Sequence, residues 1–246
     1  MSWIVGHAGC WPFVAEADGV IVGTGVTTVN GPVGWIGTIW VEPAWRGRGL
    51  GKALTRATIE AAETAGCRTL ILVATAAGQP LYEGFGFRVQ TQYRIVEAPG
   101  LSVGARDPRV RAFRPTDLPQ MAVLDAPATG EDRAHLLSDL SAAATTQCVE
   151  RADGSVGGFV IRAPWGGGAT IAPDIEDALV ILHARRLASS PERRVRAGLL
   201  EANQTGLRRL LADGWVDAWQ APRMIRGDMP AWQPASIWGQ FDHAVG

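Results

Sequence analysis

The amino-acid sequence predicts an α/β protein made of two weakly similar units in tandem, and three observations carry that prediction. Apolar alternation of strand period gives way repeatedly to helical spacing. A Pro- and Gly-containing stretch at 97–108 breaks all periodicity between two such series. The order of elements then recurs: G-T-I-W-V-E-P at 37–43 before a helix is matched by A-T-I-A-P at 169–173 before a helix, and L-Y-E-G-F-G-F at 81–87 by R-L-L-A-D-G-W at 209–215. The competing reading is a single α/β domain whose punctuation coincides.

Each element follows from its local pattern. Residues 13–16 and 20–22 flank A-D-G, a turn signal, and N-G at 30–31 precedes a strand at 35–41, giving an antiparallel series. Leu50, Leu54, Ala57 and Ala61 recur at helical spacing as far as Gly66, a C-cap residue, and T-L-I-L-V at 69–73 reads as a buried strand. A short helix is expected at 80–83, and Phe87, Val89, Thr91, Tyr93 and Ile95 alternate as a half-buried strand does. Downstream, 110–118 runs from a strand into a capped helix, and a second helix is expected at 132–144. A strand pair at 148–151 and 157–162, a helix after Pro173 ending near Leu187, and a strand at 195–200 complete the series. The expected boundaries are 1–98, a linker at 99–108, and 109–246.

Composition narrows the function classes. The chain of 246 residues has a formal net charge of -1, which argues against the broad basic footprint of nucleic-acid binders. No run approaches membrane-span length and the first residues lack a basic secretory start, so the expectation is a cytoplasmic protein with no membrane partner. Cys10, Cys67 and Cys148 are widely spaced and suggest neither disulfides nor a metal site. His135, His183 and His243 lack metal-ligand spacing and are read as ordinary surface or packing histidines. Trp3, Trp11, Trp35, Trp40 and Trp45 cluster early, and core filling is the better reading for most of them.

The sharpest feature is V-E-P-A-W-R-G-R-G-L-G-K at 41–52, between a strand and a helix start. Glycines at 47, 49 and 51 let backbone approach a ligand closely, and the unpaired amides of a first helical turn attract phosphate or pyrophosphate. A dinucleotide-binding G-x-G-x-x-G would need glycine where Lys52 stands. A Walker loop would need Ser or Thr where Ala53 follows.

The pattern that fits is Arg-x-x-Gly-x-Gly, formed by Arg46, Gly49 and Gly51 after a Val-x-Pro strand end, and here the sequence resembles the GNAT superfamily of acetyl-CoA-dependent N-acetyltransferases. P-L-Y-E-G-F-G-F at 80–87 resembles the second signature of that family. The paired motifs cover residues 13–96. The resemblance implies two GNAT-like units, each a mixed, largely antiparallel sheet flanked by helices. It implies that Arg46, Gly47, Arg48, Gly49, Leu50, Gly51 and Lys52 cradle the coenzyme A pyrophosphate, and that Ile39, Trp40 and Val41 pair with the pantetheine arm. Tyr82 would protonate the departing thiolate, a task suited to its ordinary pKa near 10. Thr75 stands where the family usually has asparagine on the cofactor.

An amine acceptor is mostly ammonium at neutral pH, so a base is needed. Glu42 is the leading candidate, with Glu16 and His7 behind it, although Glu42 equally suits a solvated strand end. In the second unit Glu176, Asp177 and Leu179 fall opposite Arg46, Gly47 and Gly49, and Leu210 opposite the tyrosine, so Asp174, Glu176 and Asp177 satisfy their own helix start and repel a pyrophosphate. The first unit lacks the family's opening helices, and the second is expected to supply part of its acceptor wall. The reading is acetyl transfer from acetyl-CoA, without a metal, to a primary amine of a small molecule. A protein or peptide amine, or a non-catalytic acyl-CoA sensor, are the rivals, and a homodimer is compatible with all three.

Overall fold

The computed structural model describes residues 2–246. In chain order it contains α1 (Ser2–Gly6), β1 (Cys10–Ala17), β2 (Val20–Asn30), β3 (Val33–Val41), α2 (Leu50–Thr64), β4 (Thr69–Val73), α3 (Gln79–Glu83) and β5 (Arg88–Pro99). There follow β6 (Val110–Ala112), α4 (Leu118–Thr129), α5 (Ala134–Leu140), β7 (Thr146–Glu150), β8 (Val156–Arg162), β9 (Gly168–Ile171), α6 (Ile175–Leu187), β10 (Arg194–Leu200), α7 (Gln204–Ala212), β11 (Val216–Gly227) and β12 (Ile237–Gly239). The two compact units interleave along the chain. The first comprises the residues up to Gln90 with Ala221–Pro230 and Asp242–Gly246, and the second comprises Thr91–Gln220 with Ala231–Phe241.

In the first unit β1, β2 and β3 form an antiparallel meander, with Asp18 and Gly19 at positive φ in the first turn. β4 then joins β3 in parallel, which requires the α2 crossover between them. The other edge of β4 is taken by β11, in register from Arg223 opposite Val73 to Gly227 opposite Thr69. The inner face of α2 is rotated from the expected one: Leu54, Thr55, Thr58, Ile59 and Ala62 are buried. Its threonines are accommodated because Thr58 Oγ1 donates to the Leu54 and Thr55 carbonyls, while the Thr58 carbonyl accepts from Thr27 Oγ1 at 2.7 Å. α2 packs on Ile36, Leu70, Leu72, Phe87 and Met224, and the opposite sheet face gathers Val33, Trp35, Ile71 and Ile225.

In the second unit the strand order β12-β9-β8-β7-β6 forms one sheet, and β10 pairs antiparallel with the later part of β5, from Leu200 opposite Tyr93 to Arg194 opposite Pro99. β5 therefore continues past 97, where the sequence loses its alternation. Val96 and Ala98 are buried there, and Glu97 pairs with Arg194 and Arg196 across the register. The helix expected at 132–144 is shorter, α5 ending at Leu140. All three cysteines are buried and free. Among the described residues no helix is long and apolar enough to cross a membrane.

Candidate active site

β3 and β4 stay together for only three pairs, Val33–Thr69, Gly34–Leu70 and Trp35–Ile71. Beyond Trp35 the register of β3 against β2 shifts between Thr24 and Val26, and Thr38 adopts φ +53°, with Thr24 Oγ1 donating to its carbonyl at 3.0 Å. This bulge turns β3 away from β4, so the strands diverge. A positive φ at a β-branched residue is costly, and such strain gathers at functional sites. The divergence opens a cavity of about 410 Å³. Ile36, Gly37, Thr38 and Ile39 line it from β3, Val73 and Thr75 from the end of β4, Gly78, Leu81 and Tyr82 from the α3 side, and Asp242, His243 and Ala244 from the last segment of the unit.

The glycine loop adjoins this cavity. Past Val41, Glu42 starts a 3-10 turn at Pro43–Trp45, its carbonyl accepting from Trp45 N at 2.8 Å, and Arg46 Nε donates to the Val41 carbonyl at 3.0 Å. The Arg48 guanidinium lies 4.6 Å from the Trp45 ring centroid. Gly49, at φ +84°, is the N-cap of α2 and offers no side-chain cap, and the first turn carries no acidic residue. A Cβ at Gly47 or Gly49 meets no protein atom within 4 Å. Open space thus borders Gly47 and Gly49 at the positive end of α2, an environment that fits a pyrophosphate. A Cβ at Gly51 stands 3.9 Å from both Val41 Cγ2 and Leu81 Cδ2, so the loop reaches a residue that lines the cavity.

Of the sequence-derived candidates, Ile39, Thr75 and Tyr82 line the cavity, while Val41 and residues 46–52 form the adjoining loop. Trp40 is 43% exposed, and Glu42 is not among the lining residues. Glu16 lies exposed on β1, and His7 accepts from Gly9 N at 3.0 Å and stacks on Trp3. Burial raises the Tyr82 pKa and keeps its hydroxyl protonated, and its ring meets Phe87 edge-on. Thr75 Oγ1 accepts from Gly78 N at 3.1 Å, fixing the entry to α3.

Two further residues that line the cavity, Thr38 and His243, are not singled out as site candidates by the sequence. The only signal for the latter is Gly37, a glycine inside a strand: a Cβ there would stand 2.4 Å from Ala244 Cα, so the segment 242–246 can lie against β3 only across a glycine. Asp242 Oδ1 accepts from Ala244 N at 2.6 Å and Val245 N at 2.9 Å, and Asn30 Nδ2 donates to the Val245 carbonyl at 3.1 Å. Burial lowers the His243 pKa, with Asp242 pulling the other way.

The second unit lacks these features. Asp174 caps α6, accepting from Glu176 N and Asp177 N, and Leu210 is fully buried in the core. The free side of β9 is taken by β12, Ile237 pairing with Ile171. Trp238, 2% exposed, donates from Nε1 to the Ala172 carbonyl at 3.0 Å.

Residues 2–87 match the Acetyltransferase (GNAT) family model. Over 64 residues, 26% of this chain, the sequence is 43% identical to glucosamine 6-phosphate N-acetyltransferase of Trypanosoma brucei brucei, and the match spans 44% of that protein's length. A Pyrococcus horikoshii protein assigned to the acetyltransferases superposes with TM-score 0.83 at 20% identity, covering 100% of this chain and 83% of that one. A tandem GNAT protein from the clavulanic acid biosynthesis pathway superposes with TM-score 0.60 at 13% identity, covering 91% and 85%. At these identities the two structures speak to fold alone, and that fold is a GNAT fold including tandem forms. The family match thus falls on residues 2–87, which carry both signature loops, one lining the cavity and the other adjoining it, and the chain as a whole has a GNAT fold.

Proposed function

We propose that the first unit binds acetyl-CoA and transfers its acetyl group directly to a primary amine of a small molecule. The observation that carries this reading is the uncapped start of α2, free of acidic residues, next to the cavity that holds Tyr82. Acetyl-CoA, the family's acyl donor, supplies the activated thioester when bound. The amides of Leu50, Gly51 and Lys52, with Arg46 and the Lys52 ammonium, would hold the pyrophosphate. The edge of β3 at Ile39, Trp40 and Val41, which has no β4 partner, would offer backbone groups to the pantetheine arm. Tyr82, kept protonated by burial, would give its hydroxyl proton to the leaving sulfur.

The second unit would carry no cofactor of its own, because Asp174 already occupies the first amides of α6 and β12 covers the edge of β9. Calorimetry on the full chain is therefore expected to give one acetyl-CoA per chain, and two would overturn this division. Thiol release is then measured on a panel of amines, glucosamine 6-phosphate included because a relative acts on it, and on peptides with unblocked termini. Turnover confined to peptides would replace the small-molecule acceptor with a protein. Tight binding with no turnover on either panel would make the protein an acyl-CoA sensor.

A further inference from the structure

We infer that His243 is the base that takes the first proton from the acceptor's ammonium group. The assignment rests on the acetyl-transfer reading above and deepens it. His243 lines the same cavity as Tyr82, whereas the carboxylates that the sequence offers as bases, Glu42 and Glu16, do not. The segment that carries it is held in place: Asp242 Oδ1 accepts from the amides of Ala244 and Val245, Asn30 Nδ2 holds the Val245 carbonyl, and Gly37 leaves room for Ala244 against β3. Positioning of that kind is what a proton acceptor at a reacting centre requires.

Its surroundings favour the neutral imidazole. Burial lowers its pKa, and the opposing influence is Asp242. Among the described residues that line the cavity, the other elements contribute one titratable side chain, Tyr82 from α3. β3 supplies Ile36, Gly37, Thr38 and Ile39, and the end of β4 supplies Val73 and Thr75, all uncharged. The imidazole is thus in its basic form at pH 7 and ready to accept a proton.

The step balances as follows. The ammonium gives one proton to the His243 imidazole, and the freed lone pair forms the C–N bond at the thioester carbonyl carbon. The C–S bond then breaks, its electron pair leaves on sulfur, and the Tyr82 hydroxyl protonates that sulfur. The new amide nitrogen returns a proton to the Tyr82 oxygen, and the His243 imidazolium releases its proton to water. One proton is released per acetyl group transferred.

The test compares the full chain with its His243→Gln variant. Acetyl-CoA binding is followed by calorimetry, and thiol release is followed across pH on an alkylamine and on an aniline-type amine, which is already neutral at pH 7. Acetyl-CoA affinity is expected to agree within about twofold. On the alkylamine kcat/KM should fall about 10²-fold at pH 7, and the acidic limb that the parent shows below the ordinary imidazole range should vanish. On the aniline-type amine, which needs no base before attack, the loss should stay below about threefold. Equal losses on both amines, or an acidic limb that persists in the variant, would overturn the assignment in favour of a structural role. A parent that binds and turns over, beside a fully active variant, would overturn His243 alone. A parent that fails to bind acetyl-CoA, or acetylates neither amine, would overturn the acetyl-transfer reading together with it. If the variant does not fold, the His243 imidazole is titrated by NMR in the parent. A resonance that ionises below its ordinary value and moves when coenzyme A is added supports the assignment, and one that does neither overturns it.

Discussion

α2 and α6 follow corresponding strand ends in the two units, yet they begin in opposite ways. At Gly49 the first turn has no side-chain cap and no acid, and open space lies beyond it. At Asp174 a carboxylate accepts from the amides of Glu176 and Asp177, doing within the chain what a phosphate would do from outside. The clefts differ in the same sense. β3 diverges from β4 and leaves a cavity, whereas β9 has β12 along its edge. The two helix starts differ in whether the chain itself supplies an acceptor to the first amides, and a few side chains decide which. The acid at Asp177, read from sequence as a repellent for pyrophosphate, has another role: it is buried and held by Arg109 Nη1 at 3.1 Å and Arg151 Nη2 at 2.7 Å, so its charge is already balanced. On the proposed division of labour, a ligand is kept from α6 by Asp174 and β12 and not by Asp177.

The strongest way to break the comparison is to remove the large side chain that β12 packs beside β9 and α6. Trp238 packs with Leu199, Leu207 and Leu210 and hydrogen-bonds the Ala172 carbonyl, so Trp238→Ala should cost about 3–5 kcal/mol, read as a lower urea midpoint. The variant should still bind one acetyl-CoA per chain. A second equivalent would mean that steric filling, and not the acidic helix start, had kept the ligand out.

On the first side of the comparison, Tyr82→Phe should leave acetyl-CoA affinity nearly unchanged and lower kcat by roughly 10²-fold, as expected for loss of a positioned acid. Unchanged turnover would reduce Tyr82 to its packing against Phe87. A smaller effect is expected at the loop. Gly49→Val puts a β-branched side chain at φ +84° and into the open space before α2, and should weaken acetyl-CoA binding about tenfold, measured by calorimetry. Affinity equal to the parent would remove the loop from the site.

How much of this was legible in the sequence depended on whether the signal was local. The loop at 46–52 and the L-Y-E-G-F-G-F run around Tyr82 stand out because each is a short-range pattern, and so does the acidic start of α6. The return of β11 to the first unit does not. Its segment from Ala221 carries Pro222 and Arg223, which break the appearance of a buried strand, yet Arg223 is 1% exposed, paired with Gln90 and lying 5.5 Å from the Trp35 ring centroid. A buried cation satisfied by partners distant in sequence gives no periodic sign. The position of His243 in the cavity is silent for the same reason, because its neighbours there lie on elements far away in the chain. The bulge at Thr38 depends on the mismatch between β2 and β3, which no single strand records.

The finest test of the contrast is the cap itself. Asp174 is exposed and its contribution is confined to the start of α6, where Oδ1 accepts from Glu176 N at 2.8 Å and from Asp177 N at 3.4 Å. Asp174→Ala should lower stability by about 1 kcal/mol, and Asp174→Asn, which keeps an acceptor at the same place without the charge, by only a few tenths. Both are read from urea midpoints at unchanged slope. The difference between the two variants separates hydrogen bonding from the interaction of a full charge with the helix dipole, which salt screens and the cap does not need. If Asp174→Ala is neutral, the amides at the start of α6 are satisfied by water alone. The second helix start would then be as open as the first, and the absence of a ligand there would rest on β12 and Trp238 only.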